Sequence, residues 1–242
     1  MEDLRDIELG VAQRFNEKIK LHAERQGVLS YVSAPLGAQD QEHADHLLSS
    51  GARFALVEFK ANHSAIKTES TKELRIQLFR NFAQDKALLK RSRDCHYICW
   101  GELSEQYSSE LQENFLEEDE KVSSYALKVA PYMNNFAPGF EFETCVGDVF
   151  ARDFFGSQLL GGNYKRFYRY ADELGKIAKG AKTGSETLEG HIYVYWPTSG
   201  DNPAGYRSIR FRGLSHMLRL SKSPEVLLGL KTLESGNSFK RA

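Results

Sequence analysis

The sequence predicts an α/β fold, in which helices cover a central sheet. Residues 3–24 repeat apolar side chains at helical spacing and so predict an amphipathic first helix. Residues 53–61 are apolar at nearly every position, which is typical of a central strand that is covered on both faces. A second helix, predicted at 70–91, stands between that strand and the next one at 94–101, as the crossover between two parallel strands does.

The early elements have recognisable boundaries. Residues 44–49 predict a short strand and Ser50-Gly51 predicts a turn, so this strand should form a hairpin with the one that follows. Ser70, with Glu73 three residues later, matches a capping box at the start of the second helix. In the first helix, Glu8 falls beside the apolar stripe rather than on the polar side.

The rest of the chain is predicted from the same periodicities. The predictions are an acidic helix over 102–130, an extended segment over 140–150, a basic aromatic helix over 162–180, strands at 191–196 and 207–212, and a last helix that starts at Ser223-Pro224.

Composition favours a single domain over residues 1–242. The chain has 242 residues, of which 41% are hydrophobic, and this is enough for one sizeable core. No stretch reaches the roughly 18 apolar residues that a membrane helix needs. The N-terminal residues MEDLRDIELG lack the basic start and apolar run of a secretory signal. We therefore expect a cytoplasmic protein with no membrane partner.

Cysteine usage predicts plain thiols. Cys95, Cys99 and Cys145 match no zinc-ribbon or zinc-finger spacing. Cys95, His96 and Cys99 offer three zinc ligands in principle. They fall, however, in an apolar run that is typical of a buried strand, where cysteine behaves as a small hydrophobic residue.

Charge is unevenly distributed, although the formal net charge is only −1. Residues 102–120 hold many carboxylates and no lysine or arginine, whereas residues 202–224 hold basic residues and no acid. The basic segment would attract a polyanion, or it is simply solvated surface. The common phosphate-loop, serine-hydrolase and zinc-protease motifs do not occur, which removes those enzyme classes.

Glu58 and Lys60 are the unusual residues of the apolar strand. They are two residues apart, so strand alternation directs both side chains to one face near the strand's end. Burying them is costly unless they meet each other, a metal or a polar cleft. Hairpin pairing would bring Asp45 near Glu58, and Mg²⁺ between the two carboxylates would remove their repulsion. The alternative is structural: Asp45 caps the hairpin, and Glu58 and Lys60 form an ion pair at a sheet edge.

Asp45, followed by Glu58-x-Lys60 on an apolar strand, resembles the motif of the PD-(D/E)xK phosphodiesterase superfamily, the restriction-endonuclease-like nucleases. The resemblance covers about residues 1–101 and implies an αβββαβ core with a mixed central sheet flanked by helices. It also implies an early strand near 28–32. Residues 102–242 would then be a C-terminal α+β elaboration that contacts the substrate. Ala44 departs from the family's usual proline.

The resemblance further implies a metal site, with Mg²⁺ as the cofactor and Mn²⁺ able to substitute. The implied ligands are Asp45, Glu58, the backbone carbonyl of Phe59 and Glu8, which matches the glutamate that many members carry on the first helix. Lys60 would hold or activate the attacking water. Gln77 corresponds to a glutamine that some members carry on the following helix. Neighbouring His43, His46 and His63 are interpreted as loop or packing residues, because hard metals do not require imidazole.

The implied function is a metal-dependent endonuclease that hydrolyses phosphodiester bonds of DNA in restriction, defence or repair. Two alternatives remain: a nuclease of the same mechanism that prefers RNA or single strands, and a non-catalytic nucleic-acid-binding or regulatory module. A homodimer is expected by analogy only, since cutting both strands of a duplex often uses two symmetric sites. Partner proteins of a defence or repair system would be expected too.

Two basic segments are candidate nucleic-acid contacts. Residues 164–170 interleave aromatic rings with Lys165, Arg166 and Arg169, which suits phosphates and bases equally. The same segment also fits an amphipathic helix with Phe167 and Tyr170 packed inward. On the strand at 207–212, the basic candidates are Arg207, Arg210 and Arg212, of which the last two share one side as a track for phosphates.

Overall fold

A computed structural model describes residues 4–36, 44–51, 53–105, 123–135, 144–156, 160–179, 184–196 and 204–222. The described helices are α1 (Leu4–Arg25), α2 (Glu73–Gln84), α3 (Lys86–Cys95), α4 (Gly147–Phe155), α5 (Tyr164–Lys179) and α6 (Leu214–Lys222). The described strands are β1 (Ser30–Pro35), β2 (His46–Ser50), β3 (Arg53–Lys60), β4 (His96–Glu105), β5 (Ser123–Pro131), β6 (Cys145–Val146), β7 (Gly162–Asn163), β8 (Glu189–Trp196) and β9 (Gly205–Arg212). Short 3-10 helices span His63–Thr71, Tyr132–Asn135 and Gly184–Thr187.

The described strands form one mixed sheet in the order β6-β5-β4-β3-β2-β1-β8-β9, with β7 paired to the start of β3. The β3–β4 pair is parallel, and the other pairs are antiparallel. Helices α2 and α3 make the crossover between the two parallel strands, as the α/β prediction requires. The sheet combines strands from the N-terminal and C-terminal parts of the chain.

Helices cover both faces of the sheet around β3. On one face, called here the α1 face, side chains of α1 and α4 pack against Val57 and Phe59. On the other, the α2 face, side chains of α2, α3, α5 and α6 pack against Phe54 and Leu56. Strand β3 is therefore buried on both sides, which explains why its sequence is apolar at nearly every position.

The hairpin of β2 and β3 matches its prediction. Gly51 makes the turn with a φ of 54°, a conformation that favours glycine, and His46 pairs with Val57 at the open end. The expected early strand is also present as β1, which pairs antiparallel with β2. Helices α1 and α5 and strands β8 and β9 are confirmed as well.

The predicted single helix at 70–91 is wrong. A 3-10 helix occupies His63–Thr71, and α2 begins only at Glu73, so the capping box does not form. The Ser70 hydroxyl donates instead to the carbonyl of Lys67. A second break follows at Asp85, whose side chain accepts hydrogen bonds from two backbone amides and caps α3.

Two further predictions need correction. Strand β4 continues through residues 102–105 and pairs with β5, so both described ends of the supposed helix over 102–130 are extended. Of the described part of the expected extension over 140–150, only Cys145–Val146 is a strand, and Gly147–Phe155 forms helix α4, one side of which Phe150 and Phe154 bury. The helix start at Ser223-Pro224 lies outside the described residues, as do 106–122 and 136–143. Helix α6 was not predicted.

No described helix combines the length and the apolar character that crossing a membrane requires.

Gly190 allows β8 to approach its neighbours, and this gives a test of the packing. A Cβ at Gly190 would lie 2.8 Å from the Cβ of Ala34 and 3.1 Å from the ring of Phe211. We expect Gly190→Ala to lower the free energy of unfolding in urea by about 1–3 kcal/mol, because neither neighbour can retreat. Gly10→Ala is the matched control: nothing lies within 4 Å of its Cβ, and helix propensity should stabilise it by about 0.5–1 kcal/mol. Equal stability of both variants would contradict the packing described.

Candidate functional site

Glu58 and Lys60 lie at the C-terminal end of β3, on the α2 face of the sheet. They are 1% and 4% exposed, and Lys60 Nζ donates to Glu58 Oε1 at 3.1 Å. The preceding residues Phe54 and Leu56 point the same way, as strand alternation requires. A buried carboxylate and a buried ammonium are thus held in contact at the end of the central strand.

Asp45 precedes β2 and stands beside this pair. Continuing the register of His46 with Val57 by one residue places Asp45 opposite Glu58. The Asp45 Oδ2 atom accepts a hydrogen bond of 2.6 Å from the backbone N–H of Phe59. Because this bond fixes the peptide between Glu58 and Phe59, Asp45 positions the backbone of the motif as well as adding a carboxylate to it.

The Lys60 ammonium sits among several oxygen atoms. It donates to the Phe59 carbonyl oxygen at 2.7 Å and makes ion pairs with Glu58 and Glu69, each at 3.1 Å. Glu8 reaches the same ammonium from α1, at 3.9 Å. The carbonyl oxygen and the Glu58 carboxylate therefore already converge on one cationic centre.

Four residues of the cluster were missed by sequence reasoning. They are Glu69, Lys72, Arg75 and Tyr132. Lys72 Nζ lies 3.0 Å from Glu58 and 2.6 Å from Glu69, and Arg75 contacts both carboxylates at 3.5 Å. The Tyr132 hydroxyl donates to Glu69 Oε2 at 2.8 Å.

Only one of these four residues left a usable signal in the sequence. Arg75, Leu78 and Phe82 follow the i, i+3, i+7 spacing of a buried stripe, so an arginine on it indicates a buried partner. Glu69 lies in a 3-10 helix and is 0% exposed, although its neighbours are largely polar. No periodicity of 3.6 or 2 identifies such a residue.

The carboxylates of the cluster differ in the direction in which their surroundings shift their pKa values. Burial alone would raise the pKa of Glu58, but the charges of Arg75, Lys60 and Lys72 outweigh burial and hold that pKa well below its ordinary value. Asp45 is compensated less, because the Phe59 N–H and the charge of Lys60 lower its pKa only in part. Burial, reinforced by the neighbouring negative charge of Glu58, raises the pKa of Asp45 to about 7. Burial also raises the pKa of Glu8, with partial compensation from Lys60.

The donor chemistry fits a hard divalent cation. Asp45, Glu58, Glu8 and the Phe59 carbonyl supply oxygen atoms only, which Mg²⁺ and Mn²⁺ prefer. Within the described residues, however, no three acidic, histidine or cysteine side chains are already arranged around a metal position. Lys60 occupies the shared acceptors instead. Metal binding therefore requires the Lys60 ammonium to leave the Phe59 carbonyl and the Glu58 carboxylate.

The structure does not bring Gln77 to this cluster. Gln77 lies two residues beyond Arg75 on α2, and such residues point roughly 200° apart around a helix. Since Arg75 is the side chain that faces Glu58, Gln77 points elsewhere and is partly exposed.

The basic residues of α5 lie at the other end of β3. Asn163, just before α5, pairs with Arg53, the first residue of β3. Phe167 and Tyr170 are buried, whereas Lys165 and Arg166 are exposed, so the amphipathic interpretation of this helix is confirmed and its basic side faces outward. Arg166, Arg169 and Lys165 line a groove shared with Lys90 and Arg91 of α3, and Arg166 forms an ion pair with Asp94 at 2.7 Å.

The arginines of β9 are exposed at the sheet edge. Arg210 and Arg212 point to the α1 face, and Arg207 points to the opposite one. Arg210 forms an ion pair with Glu189 of β8 at 2.7 Å.

The histidines and cysteines near the motif make packing contacts. His46 is buried edge-on against Phe15 and Phe59, hydrogen-bonds the Ser33 hydroxyl, and has a pKa lowered to about 3 by burial. His63 lies beside Trp100. His43 lies outside the described residues. His96 stacks on Tyr132 and hydrogen-bonds Tyr170, while Cys95 and Cys99 are buried thiols.

No protein-family model matches this chain, and neither the curated proteins nor the solved structures contain a significant match to it.

The raised pKa of Asp45 predicts how stability depends on pH. A carboxyl group whose pKa is higher in the folded than in the unfolded state stabilises the fold when protonated, and this contribution is lost as pH rises from its ordinary pKa through about 7. Asp45→Asn cannot ionise and still accepts the Phe59 hydrogen bond. We expect it to be about 1–3 kcal/mol more stable than the wild type at pH 8, since a tenfold change in proton affinity is worth ~1.4 kcal/mol.

The measurement is urea unfolding of both proteins between pH 4 and pH 8. The advantage of the variant should become small near pH 4, where Asp45 is protonated in the folded state and about half protonated in the unfolded state. A variant that is less stable than the wild type at pH 8 would show that the Asp45 carboxylate is stabilised, rather than strained, by its surroundings.

Proposed function

We propose that this chain is a metal-dependent nuclease that hydrolyses phosphodiester bonds of DNA. The observation that carries the proposal is the convergence of the Phe59 carbonyl oxygen and the Glu58 carboxylate on one cation, with the Asp45 carboxylate beside them. Hard oxygen donors of this kind are what a phosphodiesterase of the PD-(D/E)xK type would use to hold a divalent metal, and this supports the proposal.

The order of elements supports the finer assignment of the fold. From the N-terminus the chain runs α1, β1, β2, β3, α2 with α3, and β4, which corresponds to αβββαβ with a split second helix. The motif lies just before β2 and at the C-terminal end of β3, at the edge where the parallel pair β3–β4 ends. We therefore propose a restriction-endonuclease-like core, to which β8, β9 and the remaining elements are added.

The metal would be held by Asp45, Glu58 and the Phe59 carbonyl, with Glu8 able to contribute from α1. A bound Mg²⁺ or Mn²⁺ would supply a nucleophilic water near neutral pH and neutralise charge on the phosphate. Asp45 must give up its proton for this role, and its raised pKa means that binding becomes easier above pH 7. Glu58 is already ionised, because three cations hold it so.

Lys60 is suited to act on the water or the phosphate. When its ammonium leaves Glu58 and the Phe59 carbonyl, Glu69 remains as a buried partner 3.1 Å away. Glu69 is in turn fixed by Tyr132, Lys72 and Arg75. Glu69 keeps Lys60 charged and near the site, and Tyr132, Lys72 and Arg75 hold Glu69 in place, so these four residues position Lys60 without touching the substrate.

The biological setting belongs to the same proposal. Cleavage of DNA suits restriction, defence against foreign DNA or repair, and a homodimer would allow both strands of a duplex to be cut. Partner proteins of a defence or repair system would direct it. RNA is the alternative substrate for the same mechanism.

Cleavage assays test the proposal. Purified protein is incubated with plasmid, linear duplex, single-stranded DNA and RNA, in Mg²⁺, Mn²⁺ or EDTA. We expect cleavage that requires the divalent ion. Asp45→Asn, Glu58→Gln and Lys60→Met should each lower the rate on the order of 100-fold or more, because each removes a ligand or the group that acts on the water.

The matched controls are Asp148→Asn and Lys18→Met, which break an ion pair between α4 and α1 outside the cluster. Both should cleave at the wild-type rate, and circular dichroism should confirm that all five variants fold. Undiminished cleavage by the three cluster variants, or cleavage that persists in EDTA, would refute the assignment.

A non-catalytic binding module is the second candidate, and one observation favours it. Lys60, Lys72 and Arg75 already neutralise Glu58 and Glu69, so the cluster is satisfied as an internal ion network. That candidate predicts that Glu58→Gln and Lys60→Met lose stability and that the wild type cleaves none of the four substrates.

A further inference from the structure

A groove lined by tyrosines lies on the α1 face of the sheet. Tyr31 of β1, Tyr193 of β8 and Tyr206 of β9 form its floor, and Asn16 and Lys20 of α1 form one wall. Its volume is about 650 Å³. We call this cavity the tyrosine groove.

The aromatic rings are held in fixed orientations. Tyr31 is 4% exposed and supports the other two: Tyr193 stacks on it at 5.2 Å between ring centroids, and Tyr206 meets it edge-on at 5.0 Å. Tyr195, which is 40% exposed, packs edge-on against Tyr206. The Tyr206 hydroxyl donates to the Val28 carbonyl. Rings that are held in this way offer flat apolar surfaces at little cost in conformational entropy.

The tyrosine groove adjoins a cavity that contains two carboxylates of the proposed site, those of Glu8 and Asp45. This second cavity, of about 350 Å³, is lined by Glu8, Asp45 and Phe59. Asn16 and Pro35 line both cavities, so the two are neighbours along α1 and β1. A chain-like ligand in the tyrosine groove would therefore extend toward Asp45.

Cationic side chains follow the tyrosines along the same face. Strand alternation on β9 places Tyr206, Ser208, Arg210 and Arg212 on the α1 face, and the two arginines are exposed. Neighbouring strands alternate in direction from β3 through β2, β1 and β8 to β9, so β9 runs in the same direction as β3. Arg212, at the C-terminal end of β9, therefore lies toward the end of the sheet that holds Glu58. Along β9, the side chains on the α1 face therefore change from aromatic at Tyr206 to basic at Arg210 and Arg212 in the direction of the proposed metal site.

The charges also indicate how a ligand would be oriented. The α1 wall of the groove carries Glu17 and Glu24 against the single cation Lys20, and this net negative charge would repel phosphates. Arg210 and Arg212 on β9 would attract them. A polynucleotide would thus place its backbone over β9 and turn its bases toward the tyrosine rings.

We propose that the tyrosine groove binds single-stranded nucleic acid and feeds it to the carboxylate cluster. Bases stack on Tyr193 and Tyr195, and phosphates lie on Arg210 and Arg212, the first of which exchanges its contact with Glu189 for a phosphate. In a duplex the faces of the bases are covered by stacking on neighbouring base pairs, so a paired strand gains nothing from the tyrosines. The inference rests on the proposed function for the direction in which the bound nucleic acid runs. It narrows the proposed substrate to single-stranded regions or ends.

Binding is tested without cleavage, in EDTA, by fluorescence anisotropy of labelled 12-nucleotide DNA and RNA single strands and of the matching duplex. We expect the double variant Tyr193→Leu/Tyr195→Leu to bind single strands about tenfold or more weakly, since one stacked base is worth roughly a factor of 5 to 100. The double variant Tyr193→Phe/Tyr195→Phe keeps both rings and should bind as the wild type does. Val146→Ala, at an equally exposed apolar position on β6, is the control.

Salt dependence gives an independent readout. Replacing Arg210 and Arg212 by glutamine should reduce the slope of log affinity against log salt by roughly 0.7 for each phosphate that the variant no longer neutralises. Comparing the affinities for the DNA and RNA single strands shows whether the 2′-hydroxyl of the sugar contributes to binding. Duplex binding should be weak and indifferent to the tyrosine variants.

Three outcomes separate this inference from the proposed nuclease. If single-strand affinity is unchanged in the leucine double variant, or falls instead in Lys165→Gln/Arg169→Gln, the tyrosine groove is not the binding surface, even where metal-dependent cleavage is observed. Ring-dependent binding without any cleavage would support the groove and refute the nuclease. Where both hold, the leucine variant should raise KM for single strands and leave kcat nearly unchanged.

Discussion

The buried charge of Glu58 at the end of β3 is the constraint on which the rest of the site depends. An isolated carboxylate at 1% exposure would be expensive, and the chain offsets this cost with three cations from two elements. Lys60 comes from the same strand, whereas Lys72 and Arg75 come from the segment that follows it. The crossover from β3 to β4 is thereby attached to the motif by charge as well as by apolar packing.

Asp45 differs from Glu58 in its surroundings, and in the proposed metal site this difference would favour the binding of a cation. Glu58 is paired and stays ionised, whereas Asp45 is buried beside a like charge and holds a proton more tightly. Such a carboxyl group costs the fold stability above neutral pH. A divalent cation would remove that cost, so the strain favours metal binding over the metal-free state.

The sequence predicted the centre of the site better than its surroundings. Glu58 and Lys60 are recognisable because they are two charged residues, two positions apart, in an otherwise apolar strand. The predicted hairpin turn then places Asp45 near Glu58. Glu69 was not predicted, because a short 3-10 helix shows no hydrophobic period of 3.6 or 2 residues and the burial of Glu69 comes from tertiary contacts. The strand over 102–105 was not predicted for a similar reason. Its acidic sequence is typical of a solvated helix, and only the pairing with β5 makes it extended. Tyr31 of β1 is far in the sequence from the tyrosines of β8 and β9, so only the sheet order, which places β1 beside β8, brings them together.

The central claim is that Asp45, Glu58 and the Phe59 carbonyl form one cation site that Lys60 occupies when no metal is bound. Diffraction from crystals grown with Mn²⁺, with data collected at the manganese absorption edge, tests it directly. The account predicts one anomalous peak bound to these three groups, with Lys60 Nζ moved off the Phe59 carbonyl and retained by Glu69. No peak at saturating Mn²⁺, with Lys60 still bonded to the Phe59 carbonyl, would contradict it.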